Sequence, residues 1–155
     1  MINPKMTQRK YMLNWLKKVL SKYRSNIDHQ NPLAMVVDDD PFNRDLLINM
    51  LHKEQWQALE AENGAVALQL LESYQPDLLL LDLMMPEVDG FEVARKIQQY
   101  SPERKIPIIV ITAKDLTSED RDRLNGRVTA ILQKGSYDKE HLLTQIKNLL
   151  GNLSN

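Results

Sequence analysis

The chain has 155 residues with 20 basic and 21 acidic side chains, no cysteine and an ordinary apolar share, which fits one domain with an appendage and a core of normal size. Disulfides and thiolate metal sites are excluded, no run approaches the roughly 20 apolar residues of a membrane span, and the N-terminus lacks an apolar signal core, so a cytoplasmic protein is expected. Seven basic residues (Lys5, Arg9, Lys10, Lys17, Lys18, Lys22, Arg24) precede the first acidic one, Asp28, which leaves 13 basic against 21 acidic residues from there on; a basic head precedes an acidic body.

Residues 7–24 have helical spacing, with Met12, Trp15, Leu16, Val19, Leu20 and Tyr23 on one face and lysines over much of the rest. The polar, aperiodic stretch 25–32 ends in proline and reads as a linker, which divides the chain into a helix with linker (1–31) and a second unit (32–155). The apolar run 33–37 (LAMVV) has strand length and ends in Asp38-Asp39-Asp40. Asp40-Pro41 suits a helix start, with Asp as cap and Pro in the first turn. The helix to residue 55 is expected to turn Phe42, Leu46, Leu47, Met50 and Leu51 inward.

Residues 56–60 read as a short strand near a sheet edge. A helix over 63–74 follows, burying Val66, Ala67, Leu70 and Leu71, and Pro76 stops it. The unbroken runs 77–81 (DLLLL) and 106–111 (IPIIVI) imply strands buried on both faces, with a helix over 91–100 between them. Thr117 or Ser118 can cap a fourth helix that stops at Asn125-Gly126. A fifth strand over 128–132 and a helix over about 139–150 complete the alternation, the helix carrying Leu142, Leu143, Ile146, Leu149 and Leu150 on one side. Strands alternating with helices predict an α/β fold: a five-stranded parallel sheet with helices on both faces, in the flavodoxin-like (βα)5 order, plus the extra N-terminal amphipathic helix.

In such a sheet, ligands bind beyond the carboxyl ends of the strands. The first strand delivers Asp38 and Asp39 there, the third Asp82, the fourth Thr112 and the fifth Lys134. Clustered carboxylates repel one another unless a cation or proton sits among them. Hard oxygen ligands without His or Cys favour Mg2+. An ionised aspartate is a nucleophile able to form an acyl phosphate without a general base. The metal and the lysine would neutralise the transferring oxygens, and the hydroxyl would donate a hydrogen bond to one of them.

The stretches 35–44 (MVVDDDPFNR), 77–93 (DLLLLDLMMPEVDGFEV), 108–115 (IIVITAKD) and 131–135 (ILQKG) resemble bacterial response-regulator receiver domains in order, spacing and strand context. The resemblance spans about residues 33–150. It implies that Asp82 is the phosphorylation site and a direct Mg2+ ligand, with Asp39 a second ligand, Asp38 acting through water and the backbone carbonyl of Met84 completing the protein set. Thr112 would be the switch hydroxyl and Lys134 the phosphate-binding lysine. The implied partner is a histidine kinase or histidine phosphotransfer protein, and the domain would be regulatory, catalysing only its own phosphorylation and dephosphorylation. Two positions depart from the family: Lys134-Gly135 replaces the usual Lys-Pro, and Ile131 stands where many relatives carry an aromatic switch residue. Receivers ending in Lys-Gly resemble those attached to hybrid sensor kinases.

Asp40 reads as a cap and Asp89-Gly90 as a turn and helix start, while Glu87 and Lys114 lie where they would govern access of water. His29, His52 and His141 share no face. Two other functions are compatible with an Asp nucleophile: a phosphohydrolase, which would want a second acid at Met84, and a receiver-like binding module that is never phosphorylated. The N-terminal helix is expected to pack on the second unit or on its own copy in a homodimer, with a signalling linker and membrane-surface contact as the other readings. A lone helix gives no basis for sequence-specific DNA recognition. No further output domain is expected after residue 150, so output would go through protein contacts or a phosphorelay.

Overall fold

The computed structural model describes residues 4–25, 27–28, 30–85, 88–100 and 106–133. In chain order they form α1 (Pro4–Ser25), β1 (Leu33–Val37), α2 (Pro41–Lys53), β2 (Gln57–Ala61), α3 (Gly64–Ser73), β3 (Leu78–Leu81), α4 (Gly90–Tyr100), β4 (Ile108–Thr112), α5 (Ser118–Leu124) and β5 (Ala130–Gln133). All strand pairs are parallel, in the order β2-β1-β3-β4-β5, the flavodoxin-like arrangement. The helix expected over 139–150 and the Lys134-Gly135 step lie outside the described residues. Among those described, no helix is long and apolar enough to cross a membrane.

The strands follow from their composition. β3 and β4 are buried at every position and β1 at all but its first, as expected of apolar runs covered on both faces. β2 lies at the sheet edge with Gln57 and Glu60 exposed. β5 begins two residues later than its apolar run suggests, because the N–H groups of Arg127 and Val128 donate to the Leu124 carbonyl and extend the end of α5.

Local side-chain chemistry sets the helix ends. Asp40 accepts from the Phe42 N–H at 2.9 Å ahead of Pro41, and Asn63 accepts from the Val66 N–H at 2.9 Å. Thr117 and Asp120 form a reciprocal capping box. Each such cap is worth about 1 kcal/mol. α2 ends in a Schellman arrangement: the Trp56 N–H reaches the Leu51 carbonyl at 2.9 Å and the Gln55 N–H reaches that of His52 at 3.1 Å. Gln55 takes the left-handed conformation this requires, at φ 67°.

Two cores flank the sheet. On one face Leu47 and Leu51 of α2 pack with Trp56 and the inner side chains of β1, β3 and β4. α1 joins this core: Trp15, Leu16, Val19 and Leu20 are fully buried in it, and Met12 and Tyr23 nearly so. The whole expected stripe is thus used on the chain's own sheet. The Trp56 Nε1–H donates to the Leu20 carbonyl at 3.3 Å, and Lys17 pairs with Glu54 at 3.8 Å. The opposite face is closed by α3, α4 and α5. Phe42 departs from its expected inward placement and is 65% exposed. It sits five residues before Leu47, and at 3.6 residues per turn that offset turns it well away from the sheet-facing side.

Candidate functional site

β1 and β3 are neighbours, and the register pairs Val37 with Leu81, so Asp38 and Asp82 leave the sheet side by side. The Asp82 N–H donates to the Val37 carbonyl at 2.9 Å, and the Asp38 N–H to that of Ala61 at 3.2 Å. Each aspartate is therefore fixed through its backbone by the adjoining strand. One carboxylate oxygen from each of Asp38, Asp39 and Asp82 lies within 4.8 Å of the others. Asp38 and Asp82 are buried and Asp39 is exposed, which gives the cluster a closed floor and an open side.

The surrounding loops orient these groups. Asp38 accepts the Asp40 N–H at 2.9 Å, which turns the chain into α2. Its carbonyl accepts from the Arg44 guanidinium at 2.8 Å, so α2 clamps the strand end from above. Asp82 accepts the Met84 N–H at 3.2 Å. Three carboxylates this close, two of them shielded from water, strongly favour a cation among them. The all-oxygen donor set, without nitrogen or sulfur ligands, fits Mg2+.

Thr112 ends β4, fully buried, and its hydroxyl accepts the Lys114 N–H at 3.2 Å. Met84 is half exposed just past Asp82. Lys114 turns towards α5, where it pairs with Asp120 at 2.9 Å and stands over the Phe91 ring; Arg123 stacks on the same ring, 4.1 Å from its centre. The Lys114 ammonium, followed by the Thr117 backbone N–H, holds the Asp120 carboxyl below the ordinary aspartate range. The structure thus gathers Asp38, Asp39 and Asp82, and puts Thr112 at the end of the strand next to that of Asp82. Lys134 and Glu87 lie outside the described residues, as do His29 and His141.

Two residues with a part in the site gave no separate signal in the sequence. Arg44 is visible there only as a polar helix residue. Gly90 reads as a helix start, and Asp89 does cap α4 by accepting the Glu92 N–H at 3.0 Å. Yet a Cβ on Gly90 would run into the carbonyl oxygen of Asp82 and lie 2.7 Å from Leu83 Cα. The Asp-Gly pair advertises the turn; the close approach to Asp82 depends on the tertiary structure.

The response regulator receiver domain family matches residues 34–147. A response regulatory protein of Vibrio cholerae is 47% identical over 92 residues, covering 56% of this chain and 34% of that protein. The chain therefore spans about a third of that relative's length. PilH of Pseudomonas aeruginosa is 34% identical over 93 residues, covering 60% of this chain and 74% of PilH. Among solved structures, the response regulator TrrA of Thermotoga maritima, determined in complex with Mg2+ and BeF, superposes with a TM-score of 0.59 at 34% identity, over 76% of this chain and 98% of that one. Sheet order, the carboxylates at the strand ends and the extent of the match agree: the chain belongs to the response regulator receiver family, the phosphoacceptor domains of two-component signalling.

Proposed function

We propose that Asp82 is the phosphoryl acceptor, that Asp38, Asp39, Asp82 and the Met84 backbone carbonyl hold Mg2+, and that Thr112 and Lys134 contact the phosphoryl oxygens. The observation that carries this reading is the convergence of three carboxylates within 4.8 Å, two of them buried. An ionised Asp82 oxygen attacks phosphorus of a phosphohistidine; the O–P bond forms as the N–P bond breaks, and the departing imidazole nitrogen takes a proton. Bound Mg2+ supplies charge neutralisation for the transferring group. The Thr112 hydroxyl donates to one phosphoryl oxygen, and the Lys134 ammonium pairs with another.

The donor is then a histidine kinase or histidine phosphotransfer protein, and the domain is a regulatory phosphoprotein of the cytoplasm, where such donors are charged from nucleotide. Its only catalysis is its own phosphorylation and dephosphorylation. The thioether of Met84 sits where a phosphohydrolase of this type would need a proton carrier, so turnover of phosphate esters is not favoured. We keep the division into 1–31 and 32–155; the family match, which begins at residue 34, supports it. Output runs through protein contacts. A homodimer built on α1 would require that helix to leave its own sheet, and sequence-specific DNA binding is not part of this reading.

Acetyl phosphate with Mg2+ should label the parent protein and leave Asp82→Asn unlabelled, as read by intact mass. Equal labelling of the two proteins would refute the assignment.

A further inference from the structure

Aromatic residues aside, four polar residues are buried among those described: Asp38, Asp82, Thr112 and Asp120. The first three belong to the carboxylate rim and the strand end beside it. Asp120 stands apart from them, on α5. Aspartate is rarely buried unless it is paired, and capping a helix does not by itself require burial. What Asp120 holds explains its place.

Both of its side-chain partners lie on the connection between β4 and α5. Asp120 Oδ2 accepts from the Thr117 N–H at 3.1 Å, its share of the capping box, and pairs with the Lys114 ammonium at 2.9 Å. Lys114 is tied at its other end to the proposed site, because its backbone N–H donates to the Thr112 hydroxyl oxygen at 3.2 Å. The ammonium also stands over the Phe91 ring, 5.3 Å from its centre. Phe91 follows Gly90, the residue packed against the Asp82 main chain. The connection is thus gripped by α5 on one side and by the start of α4 on the other.

A threonine hydroxyl has one proton and two lone pairs, and it rotates to suit its neighbours. With the Lys114 N–H on one lone pair, the hydroxyl proton is turned away from that N–H. The direction of the proton therefore depends on where the Lys114 backbone stands, and Asp120 fixes that through the side chain. We infer that Asp120 is a positioning residue for Thr112: through Lys114 it holds the β4–α5 connection so that the Thr112 hydroxyl offers its proton to the phosphoryl group. This use of the hydroxyl rests on the phosphoacceptor reading; the chain of contacts from Asp120 through Lys114 to Thr112 does not. In Asp120→Asn the amide oxygen can still accept from the Thr117 N–H and cap α5, while the charge that holds Lys114 is gone.

Initial rates of labelling by acetyl phosphate at saturating Mg2+, read by intact mass, test the consequence. Asp120→Asn should label about three- to ten-fold more slowly than the parent, the share of one hydrogen bond. In a Thr112→Val background the same substitution should have no further effect, because the hydroxyl it positions is absent. Thr117→Val removes the other half of the capping box but leaves the Lys114–Asp120 pair, and it should label at the parent rate. Three results would each overturn the inference: an unchanged rate in Asp120→Asn, equal slowing with and without the Thr112 hydroxyl, or matching slowing by Thr117→Val. Exchange of the Lys114 amide, followed by NMR with no phosphoryl donor present, separates the inference from the Asp82 assignment. Protection of that amide should fall about ten-fold in Asp120→Asn and persist in Thr117→Val. Absence of labelling in every form, the parent included, would refute the Asp82 assignment; unchanged Lys114 protection in Asp120→Asn would overturn the inference in either case.

Discussion

Gly90 opens α4 against the backbone that carries Asp82, and its missing side chain is what lets the helix start there. Two of the three atoms a Cβ would meet belong to the Asp82–Leu83 main chain, which cannot swing aside as a flexible side chain would. Gly90→Ala is therefore expected to cost about 1–3 kcal/mol in urea denaturation, as overpacking does. By displacing Asp82 relative to Asp38 it should also weaken Mg2+ binding measured by titration calorimetry. Gly126 offers the contrasting control. It has a positive φ of 77° and nothing within reach of an added Cβ, so Gly126→Ala should cost about 1 kcal/mol in backbone strain and leave Mg2+ affinity intact. Equal effects of the two substitutions on the metal would show that the Gly90 contact does not position Asp82.

Among the elements, α1 differs most from what its sequence alone defines. The spacing of Met12, Trp15, Leu16, Val19, Leu20 and Tyr23 identifies the buried stripe correctly, because a helix exposes one face per turn whatever it packs on. The surface that receives the stripe depends on where the sheet presents an uncovered face, and nothing local to α1 encodes that. The strands were legible for the converse reason: unbroken apolar runs require cover on both sides. Phe42 was misplaced because its helix offset matters only once the position of the sheet is known. Tyr23, at the end of the stripe, gives α1 a pH response. Burial raises its pKa above the ordinary value, opposed in part by the Thr129 side chain. The neutral phenol is favoured in the docked state, so its contribution is complete below the ordinary tyrosine range and is lost as pH rises through the raised value. Protection of α1 amides should therefore decline with alkaline pH, and Tyr23→Phe should remove this tyrosine's share; an identical profile in the variant would refute the role.

At the scale of the whole molecule, the proposed metal site should couple stability to Mg2+. Repulsion among Asp38, Asp39 and Asp82 opposes folding, and a cation bound only by the folded state reverses the balance. Mg2+ at about 100 times its dissociation constant should add about 2.7 kcal/mol, visible as a rise in Tm that chelation removes. Asp82→Asn should melt higher than the parent in chelator and gain much less from Mg2+; a full gain in that variant would exclude Asp82 from the metal set. The aspartates and Thr112 could be read from the sequence because the Asp38-Asp39 pair and Asp82 come straight after apolar strands and Thr112 ends one, where the fold class alone fixes the rim. Arg44 and Gly90 could not, because their contacts join segments that only the folded sheet brings together.

Trp15 and Trp56 are the only tryptophans in the chain, and both are buried in the seam between α1 and the sheet. The tryptophan emission, excited at wavelengths that tyrosine does not absorb, therefore comes entirely from that seam. A red shift of its maximum reports water reaching the space beneath α1, and an unchanged spectrum during a perturbation at the carboxylates shows that the seam has stayed shut. The molecule carries its own optical gauge for α1, the one helix among the described residues that lies outside the family match, with no added label.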